Sequence, residues 1–279
     1  MDLNSIKNKL NTLQQQGQKK EKIDYSKFLW KPKQEGKFQI RIVPSKRDKN
    51  NPFQEIFIHY GFTKFPIYAL TNWGEKDPIV EFSKQLKTSD DKENWKLGKK
   101  LEPKMRIFTP VIVRGEEDKG VRLWEFGKEI YMQLLGIADD EDYGDYTDIN
   151  EGRDFTLDVV TGDVGGRQGL KTSLRIKPKT SHLSSKKEDI EKYLSDQPDL
   201  LSIQRKYEFD KLKEILQNFL VPGEESEIES EIEVDTDDID SNVEEVTVKE
   251  TKPAKTDYKL KTSTKKTKAD KFDELFEEE

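Results

Sequence analysis

Cationic and aromatic side chains are interleaved over residues 38–62, FQIRIVPSKRDKNNPFQEIFIHYGF. Arg41, Lys46 and Arg47 lie between two runs that are rich in Phe, Ile and Tyr. Cations of this kind hold phosphates and aromatic rings stack on bases, so the combination indicates binding of a single-stranded nucleic acid. The alternative is an ordinary hairpin whose basic loop is merely solvated.

Residues 121–126, VRLWEF, alternate in the manner of a strand. The alternation places Arg122 and Trp124 on the same face, next to Phe126. That face is either a stacking platform for bases or a half-buried Trp beside an Arg whose aliphatic part packs against it. The sequence leaves both interpretations open.

The candidate nucleic-acid-binding residues share one property, which is that each is a cation or an aromatic residue between positions 41 and 128. The cations would contact phosphates, Trp95 and Trp124 would stack on bases, and Tyr68 and Trp73 are further stacking candidates. The full set is Arg41, Lys46, Arg47, Tyr68, Trp73, Trp95, Lys99, Lys100, Arg106, Arg122, Trp124 and Lys128.

A catalytic alternative rests on residues 139–158, which contain nine acidic residues and Arg153. Clustered carboxylates hold the metal ions of metal-dependent nucleases. No catalytic His or paired motif accompanies them, and charge runs of this kind are usually solvated. The chain has no Cys, which excludes thiolate nucleophiles and Cys-based zinc sites. We therefore expect no enzyme activity, no metal and no cofactor.

The formal net charge of −7 for the whole chain argues against a nucleic-acid partner, but the charge differs between segments of the chain. Residues 1–137 contain 27 Lys and Arg against 18 Asp and Glu, a net charge of +9. Residues 221–250 contain one Lys against 13 acidic residues, a net charge of −12. The acidity therefore belongs largely to the tail and not to the predicted binding domain.

Hydrophobic periodicity predicts a β-rich (α+β) fold, with an OB-fold-like core and helical additions at residues 25–220. Residues 63–110 are expected to be irregular but ordered, up to the strand that begins at Ile107. Lys171, Arg175, Lys177 and Lys179 form a third basic cluster on the second strand of a hairpin. The other predicted elements are strands at 38–43, 53–62, 107–113 and 121–126, a helix at 128–137, the hairpin of 155–160 and 169–176, a helix that starts near 186, and one at 199–220.

Two flanking segments complete the predicted organisation. Residues 1–24 place Leu3, Ile6, Leu10 and Leu13 at helical spacing, so this arm is either a short amphipathic helix or a disordered start. The tail at 221–279 is predicted to be disordered. It ends with Phe272, Leu275 and Phe276 at i, i+3 and i+4 among acidic residues. That spacing predicts a peptide that docks in a basic, apolar groove of a partner, although a merely solubilising acidic end is the alternative.

No apolar stretch is long enough to span a membrane, and the N-terminus has no signal-peptide core. We therefore expect a soluble, cytoplasmic protein with no membrane partner.

Four blocks, in order along the chain, resemble the single-stranded-DNA-binding (helix-destabilising) proteins of T-even-type phages. The resemblance extends loosely from about residue 30 to residue 220. The blocks are IRIVPSK at 40–46, HYGF at 59–62, KENWKLGKK at 92–100 and FGKEI at 126–130, behind Trp124.

That resemblance implies a protein that coats and protects single-stranded DNA during phage DNA replication, recombination and repair. It implies cooperative binding without sequence specificity, with the N-terminal arm gripping the next copy of the protein. It also implies recruitment of replication, recombination and repair proteins by the acidic C-terminus. A single-stranded RNA binder would use the same kind of groove and stays open.

This chain differs from the family that it resembles at the zinc site. The family binds zinc through one His and three Cys. His59 stands where the His stands, but the family's Cys-Pro-x-Cys reads DPIV at residues 77–80. Without Cys the ligand set is too small for a structural site. We therefore expect no zinc, packing by Ile79, Val80 and Phe82 in its place, and a structural role for His59.

Overall fold

The described residues, 25–164 and 167–220 of a computed structural model, form one mixed eight-stranded sheet with helices added to it. The strands are β1 (Leu29–Trp30), β2 (Gly36–Ile42), β3 (Gln54–His59), β4 (Ile67–Tyr68), β5 (Lys104–Val113), β6 (Arg122–Phe126), β7 (Arg153–Val164) and β8 (Arg167–Thr180). The helices are α1 (Pro78–Lys87), α2 (Lys92–Leu101), α3 (Lys128–Ala138), α4 (Lys187–Ser195), α5 (Leu200–Ile203) and α6 (Phe209–Leu220). Short 3-10 turns lie at Tyr25–Lys27, Leu70–Trp73 and Glu117–Lys119. The β-rich α+β prediction is confirmed.

Strand β5 is the centre of the sheet, whose main order is β1-β6-β5-β2-β7-β8. One edge of β5 pairs with β6, and the other edge is shared by β3 and β2. Strands β2 and β3 follow one another in the same direction along that edge and do not pair with each other. The ordinary-hairpin interpretation of residues 38–62 is therefore wrong, because both strands are held by β5 and the loop between them leaves the sheet.

The largest core cluster lies on one face of this sheet. Trp30 and Trp124, neighbours across the β1–β6 pair, meet with ring centroids 6.4 Å apart, and Trp124 lies 4.3 Å from Phe126. Strand β5 is buried on both faces because α5 residue Leu200 and α4 residue Tyr193 belong to clusters on the opposite side. This double burial explains why β5 reads as a continuous apolar run rather than an alternating one.

The expectation of an irregular segment at 63–110 is wrong, since α1 and α2 lie within it. Asp77 caps α1 by accepting hydrogen bonds from the backbone N–H of Ile79 (2.9 Å) and Val80 (3.1 Å), with Pro78 as the first helical residue. This is the favoured arrangement for a helix start. The apolar sides of these helices pack against α6 residues Leu212 and Leu216.

Helices α1 and α2 approach closely at Gly98. A Cβ at this position would lie 2.8 Å from Cγ of Lys87 and 2.9 Å from the carbonyl oxygen of Ser83. The hydroxyl of Ser83 also donates a 2.7 Å hydrogen bond to the Gly98 carbonyl. The contact fixes the position of α2, which carries Trp95.

The C-terminal helices differ from the prediction in one respect. Residues 199–220 form two helices, α5 and α6, instead of one, and the β7–β8 hairpin is longer than predicted. None of the helices in the described part of the chain has both the length and the apolar character needed to cross a membrane. The predicted arm at 1–24 and the tail at 221–279, with Phe272, Leu275 and Phe276, lie outside the described residues.

Candidate nucleic-acid interface

Four of the predicted binding residues are core residues. Their exposed fractions are 0% for Arg41, 2% for Trp124, 4% for Arg106 and 5% for Arg122. Burial at this level prevents contact with a nucleic acid unless the fold opens. We therefore correct the prediction for these four residues and assign them structural positions.

Arg41 on β2 forms hydrogen bonds to residues at the start of β7 and directly after the end of β8. Its Nη1 donates to Asp154 Oδ1 at 3.3 Å, and its Nη2 donates to the carbonyl oxygens of Asp148 (2.7 Å) and Ser181 (2.9 Å). Arg114 donates to the same Asp154 carboxylate at 2.9 and 3.1 Å. Burial lowers the pKa of Arg41 and Asp154 counteracts this, but an arginine stays protonated in a protein. The guanidinium is thus a paired internal charge.

The other two buried arginines are paired with glutamates, and Trp124 is packed in the core. Arg106 Nε lies 3.2 Å from Glu125 Oε1, and Arg122 Nη2 lies 2.5 Å from Glu116 Oε2. Trp124 packs between Trp30 and the neighbouring aromatic side chains of the core. The stacking-platform interpretation of β6 is therefore wrong, because the core cluster covers Trp124 and Glu116 pairs with Arg122 on the face that the sequence left open.

Tyr68 and Trp73 are half-buried, and neighbouring side chains contact their rings. Burial raises the pKa of Tyr68, whose ring packs beside the cluster that includes Leu200. Trp73 carries the ammonium of Lys206 5.9 Å from its ring centroid, and that lysine is paired with Glu75 at 2.5 Å. A base could stack on either ring only by displacing these contacts.

The exposed candidates include a group on α2. Trp95 is 47% exposed, and Lys99 Nζ lies 5.7 Å from its ring centroid. Lys92 and Lys96 are exposed and lie one helical turn or less from Trp95, on the same side of the helix as Lys99. Lys100 is exposed beside them, with its ammonium 5.5 Å from the ring of Phe219. This side of α2 combines a partly exposed aromatic ring with several cations.

The loop between β2 and β3 presents a second exposed group. Lys46 Nζ donates to the Ser195 carbonyl at 2.9 Å, and Arg47 Nη2 donates to the Phe53 carbonyl at 2.9 Å. Both side chains are exposed, and so is Lys128, the first residue of α3. The loop precedes β3, whereas α2 leads into the residues of β5 that pair with the end of β3. The two exposed groups therefore lie at opposite ends of β3.

A cleft that was not predicted lies beside the α2 group. It has a volume of about 220 Å³, and Phe57, 37% exposed, lies in its wall. Asn72 fixes the Phe57 backbone by accepting from its N–H (2.9 Å) and donating to its carbonyl (2.8 Å). The residues that line the cleft are Phe57, Val80, Ser83, Lys84, Lys87, Glu102 and Pro103.

Glu102 connects this cleft to Trp95. One carboxylate oxygen contacts Lys87 and the other lies 3.3 Å from Lys99 Nζ. Partial burial works to raise the pKa of Glu102, but the hydrogen bonds from both lysines outweigh it and hold the pKa below its ordinary value. Phe57, Lys87, Glu102, Lys99 and Trp95 thus form one continuous surface, which we call the α2 strip.

His59 and Asp77 form a buried pair. His59 Nε2 lies 3.2 Å from Asp77 Oδ2, which also accepts a 2.8 Å hydrogen bond from the Leu70 N–H. Burial works to raise the pKa of Asp77, but the hydrogen bond and charge of His59, together with the backbone hydrogen bonds from Leu70 and Val80, hold it below its ordinary value. Ile79 and Phe82 are fully buried nearby. Within residues 25–164 and 167–220, no group of three or more His, Cys, Asp or Glu side chains is arranged to hold a metal ion.

The acidic run at 139–158 is largely solvated. Asp148 and Asp154 hold Arg41, as described above, and Asp158 pairs with Arg175 at 3.2 Å. Asp139, Asp140 and the following acidic residues of the turn are exposed. This arrangement does not favour a metal-dependent nuclease.

Residues 34–221 match a protein family whose model is described as "gp32 DNA binding protein like". The match covers about two thirds of the chain. It contains every predicted nucleic-acid-binding residue. No curated protein matches the chain.

Proposed function

Because the chain belongs to the gp32-like family of DNA-binding proteins, we propose that it is a single-stranded-DNA-binding protein. It coats and protects transient single strands during phage DNA replication, recombination and repair. It binds without sequence specificity and turns over no substrate. The α2 strip is the observation that supports this proposal most directly.

The α2 strip has the chemistry that a flexible, sequence-independent polyanion needs. Trp95 and Phe57 offer partly exposed rings, and every base has a face that can stack on them. Lys84, Lys87 and Lys99 lie between or beside the rings and can replace the counterions of the phosphates. Because Phe57 lies on a β-strand whose backbone Asn72 holds in place, one stacking surface is fixed before binding.

Base stacking and phosphate contacts contribute to DNA binding in different ways. A lost base stack costs about 1–3 kcal/mol of binding free energy and does not change the number of ions released. A lost phosphate contact reduces the slope of log K against log salt by about 0.7 for a single strand. Trp95→Ala and Phe57→Ala should therefore weaken binding at an unchanged slope, whereas Lys87→Gln should reduce the slope.

The test is a fluorescence titration with matched single-stranded DNA, single-stranded RNA and duplex DNA at several salt concentrations. We expect tight, steeply salt-dependent binding of single-stranded DNA and weak binding of duplex. Met132→Ala is the matched control, since Met132 is an exposed apolar side chain on α3. Equal affinity for duplex, or an equal loss of affinity in Met132→Ala and Trp95→Ala, would contradict the proposal. Preference for RNA would favour the RNA-binding alternative.

We also infer the wider role from the family. The protein associates with itself along the strand, with residues 1–24 as the self-contact, and works in the host-cell cytoplasm. Its acidic end at Phe272, Leu275 and Phe276 recruits replication, recombination and repair proteins. Capture of such proteins by the full chain, and its loss on removal of residues 269–279, tests the recruitment.

A further inference from the structure

The outer side of strands β2, β7 and β8 carries cations that do not belong to the α2 strip. Lys37 on β2 and Lys171 and Arg175 on β8 are exposed. Lys177 lies on the same side, because its Nζ donates a 2.7 Å hydrogen bond to Oε1 of Gln39. We call this surface the cationic sheet face, and its members are Lys37, Gln39, Thr156, Asp158, Val160, Lys171, Ser173, Arg175 and Lys177.

The strand register explains how these residues come together. Lys37 is paired with Asp158 across β2 and β7, and Asp158 is paired with Ser173 across β7 and β8. Directly paired residues share a face of the sheet, as do residues two positions apart on a strand. The opposite face of the same strands carries Phe38 and Leu157, which pack in the core. The cations are therefore fixed to the solvent side by the burial of the other side.

The charge on this face is strongly positive. Four cations surround one carboxylate, Asp158, which leaves a net charge of +3. Asp158 Oδ2 lies 3.2 Å from Arg175 and 3.9 Å from Lys37. Asp158, whose side chain is 30% exposed, thus pairs with two of the four cations.

The composition of this face identifies the kind of ligand. None of its nine residues is aromatic, so it offers no stacking surface for bases. Cations two residues apart on a strand are about 6.6–6.8 Å apart, a spacing comparable to that of successive phosphates in an extended strand. We propose that the cationic sheet face binds the phosphodiester backbone of single-stranded DNA and makes no contact with the bases. The inference rests on the proposed function above.

The position of the face predicts a dependence on strand length. Phe57 is paired with Met105, which packs with the core cluster that contains Phe38. The α2 strip and the cationic sheet face therefore lie on opposite sides of the sheet. A strand must pass round an edge of the sheet to reach both, so short strands will occupy the α2 strip alone.

A second explanation for these cations is protection of the sheet edge. Strand β8 is the last strand in the order, and lysines on an edge strand discourage pairing with a second sheet. Lys37 does not fit that role, because β2 lies two strands in from the edge. The two explanations predict different effects of neutralising the face, on affinity in one case and on aggregation in the other.

The experiment compares wild-type protein with Lys171→Gln/Arg175→Gln/Lys177→Gln over oligo-dT lengths from about 4 to 30 nucleotides, a range that begins within the site sizes known for one OB fold. We expect equal affinities for short strands. For long strands the triple variant should bind less tightly, with a salt slope smaller by about 2, or about 0.7 for each lost phosphate contact. The matched control, Lys119→Gln/Lys187→Gln/Lys211→Gln, makes the same charge change away from the sheet.

Each outcome decides one question. Identical length and salt dependence of the two proteins would overturn the proposal, and so would an equal effect of the control variant. Aggregation of the triple variant at unchanged affinity would assign the face to edge protection. Loss of duplex binding alone would also overturn it. If wild type binds no single strand of any length, the proposed function itself fails, which is a different result.

Discussion

The Nζ of Lys99 lies 3.3 Å from Oε2 of Glu102, which places a carboxylate within the most cationic part of the α2 strip. The same carboxylate contacts Lys87 on the other side. In the free protein Glu102 therefore neutralises two cations that a phosphate would use. Binding a strand requires that phosphates compete with this carboxylate.

Glu102→Gln should tighten binding of single-stranded DNA at low salt. Loss of the negative charge removes the competitor that phosphates must displace from Lys87 and Lys99. The electrostatic gain is largest at low salt, because salt screens it. The slope of log K against log salt measures this. Glu141→Gln makes the same charge change on an exposed residue away from the α2 strip. An equal gain in both variants would show that net charge alone is responsible.

Arg41→Ala should destabilise the protein without changing DNA affinity per folded molecule. Removing one partner of a buried ion pair costs about 3–5 kcal/mol, and urea unfolding measures this loss. Lys46→Ala is the control, since Lys46 is exposed and substitutions at such sites usually change stability by less than about 0.5 kcal/mol. A reduced salt slope in folded Arg41→Ala would return Arg41 to the binding surface.

The strands of the core could be predicted from the sequence, but the exposed face of each strand could not. Alternation places Arg122 and Trp124 on one face of the strand and Leu123 on the other. It cannot predict which face is exposed when other elements pack on both faces. The same alternation contained an unused signal at Phe57. Ile56 and Ile58 are buried, so Phe57 between them points the other way.

The expectation of an irregular segment at 63–110 left out the helix-start signal at Asp77 and Pro78. Asp77 is a favoured helix N-cap, and Pro78 occupies the first helical position, where proline is also favoured. The α2 strip depends on these helices, since α1 supplies Lys87 and α2 supplies Trp95 and Lys99. A sequence reading that placed no helix here could identify Trp95 and Lys99 but not the cleft beside them.

Asp77 should make the stability of the fold sensitive to acid. Its pKa is lower in the folded protein than in the unfolded chain, so its stabilising effect is complete above its ordinary pKa of about 3.9. The effect is lost as the pH falls through the lowered folded value. Asp77→Asn keeps a capping side chain but removes the charge. Its melting temperature should therefore fall less between pH 6 and 3, about the range around that pKa, than that of wild type.

The control for that experiment concerns metal. If His59 and Asp77 are a purely structural pair, a chelator will leave the melting temperature unchanged at every pH. Elemental analysis of protein purified without chelators should then find less than one zinc per chain. One tightly held zinc per chain would contradict this and would give Asp77 a different role.

Removal of residues 224–279 should tighten DNA binding, and more at low salt than at high salt. Residues 221–250 carry a net charge of −12 and are tethered to a domain with cationic surfaces, so they compete with DNA at a high effective concentration. Salt screens this internal competitor before DNA is added, which reduces the benefit of removing it. A scrambled tail of the same composition is the matched control and should behave as wild type. Unchanged low-salt affinity in the truncated protein would show that the tail does not compete with DNA.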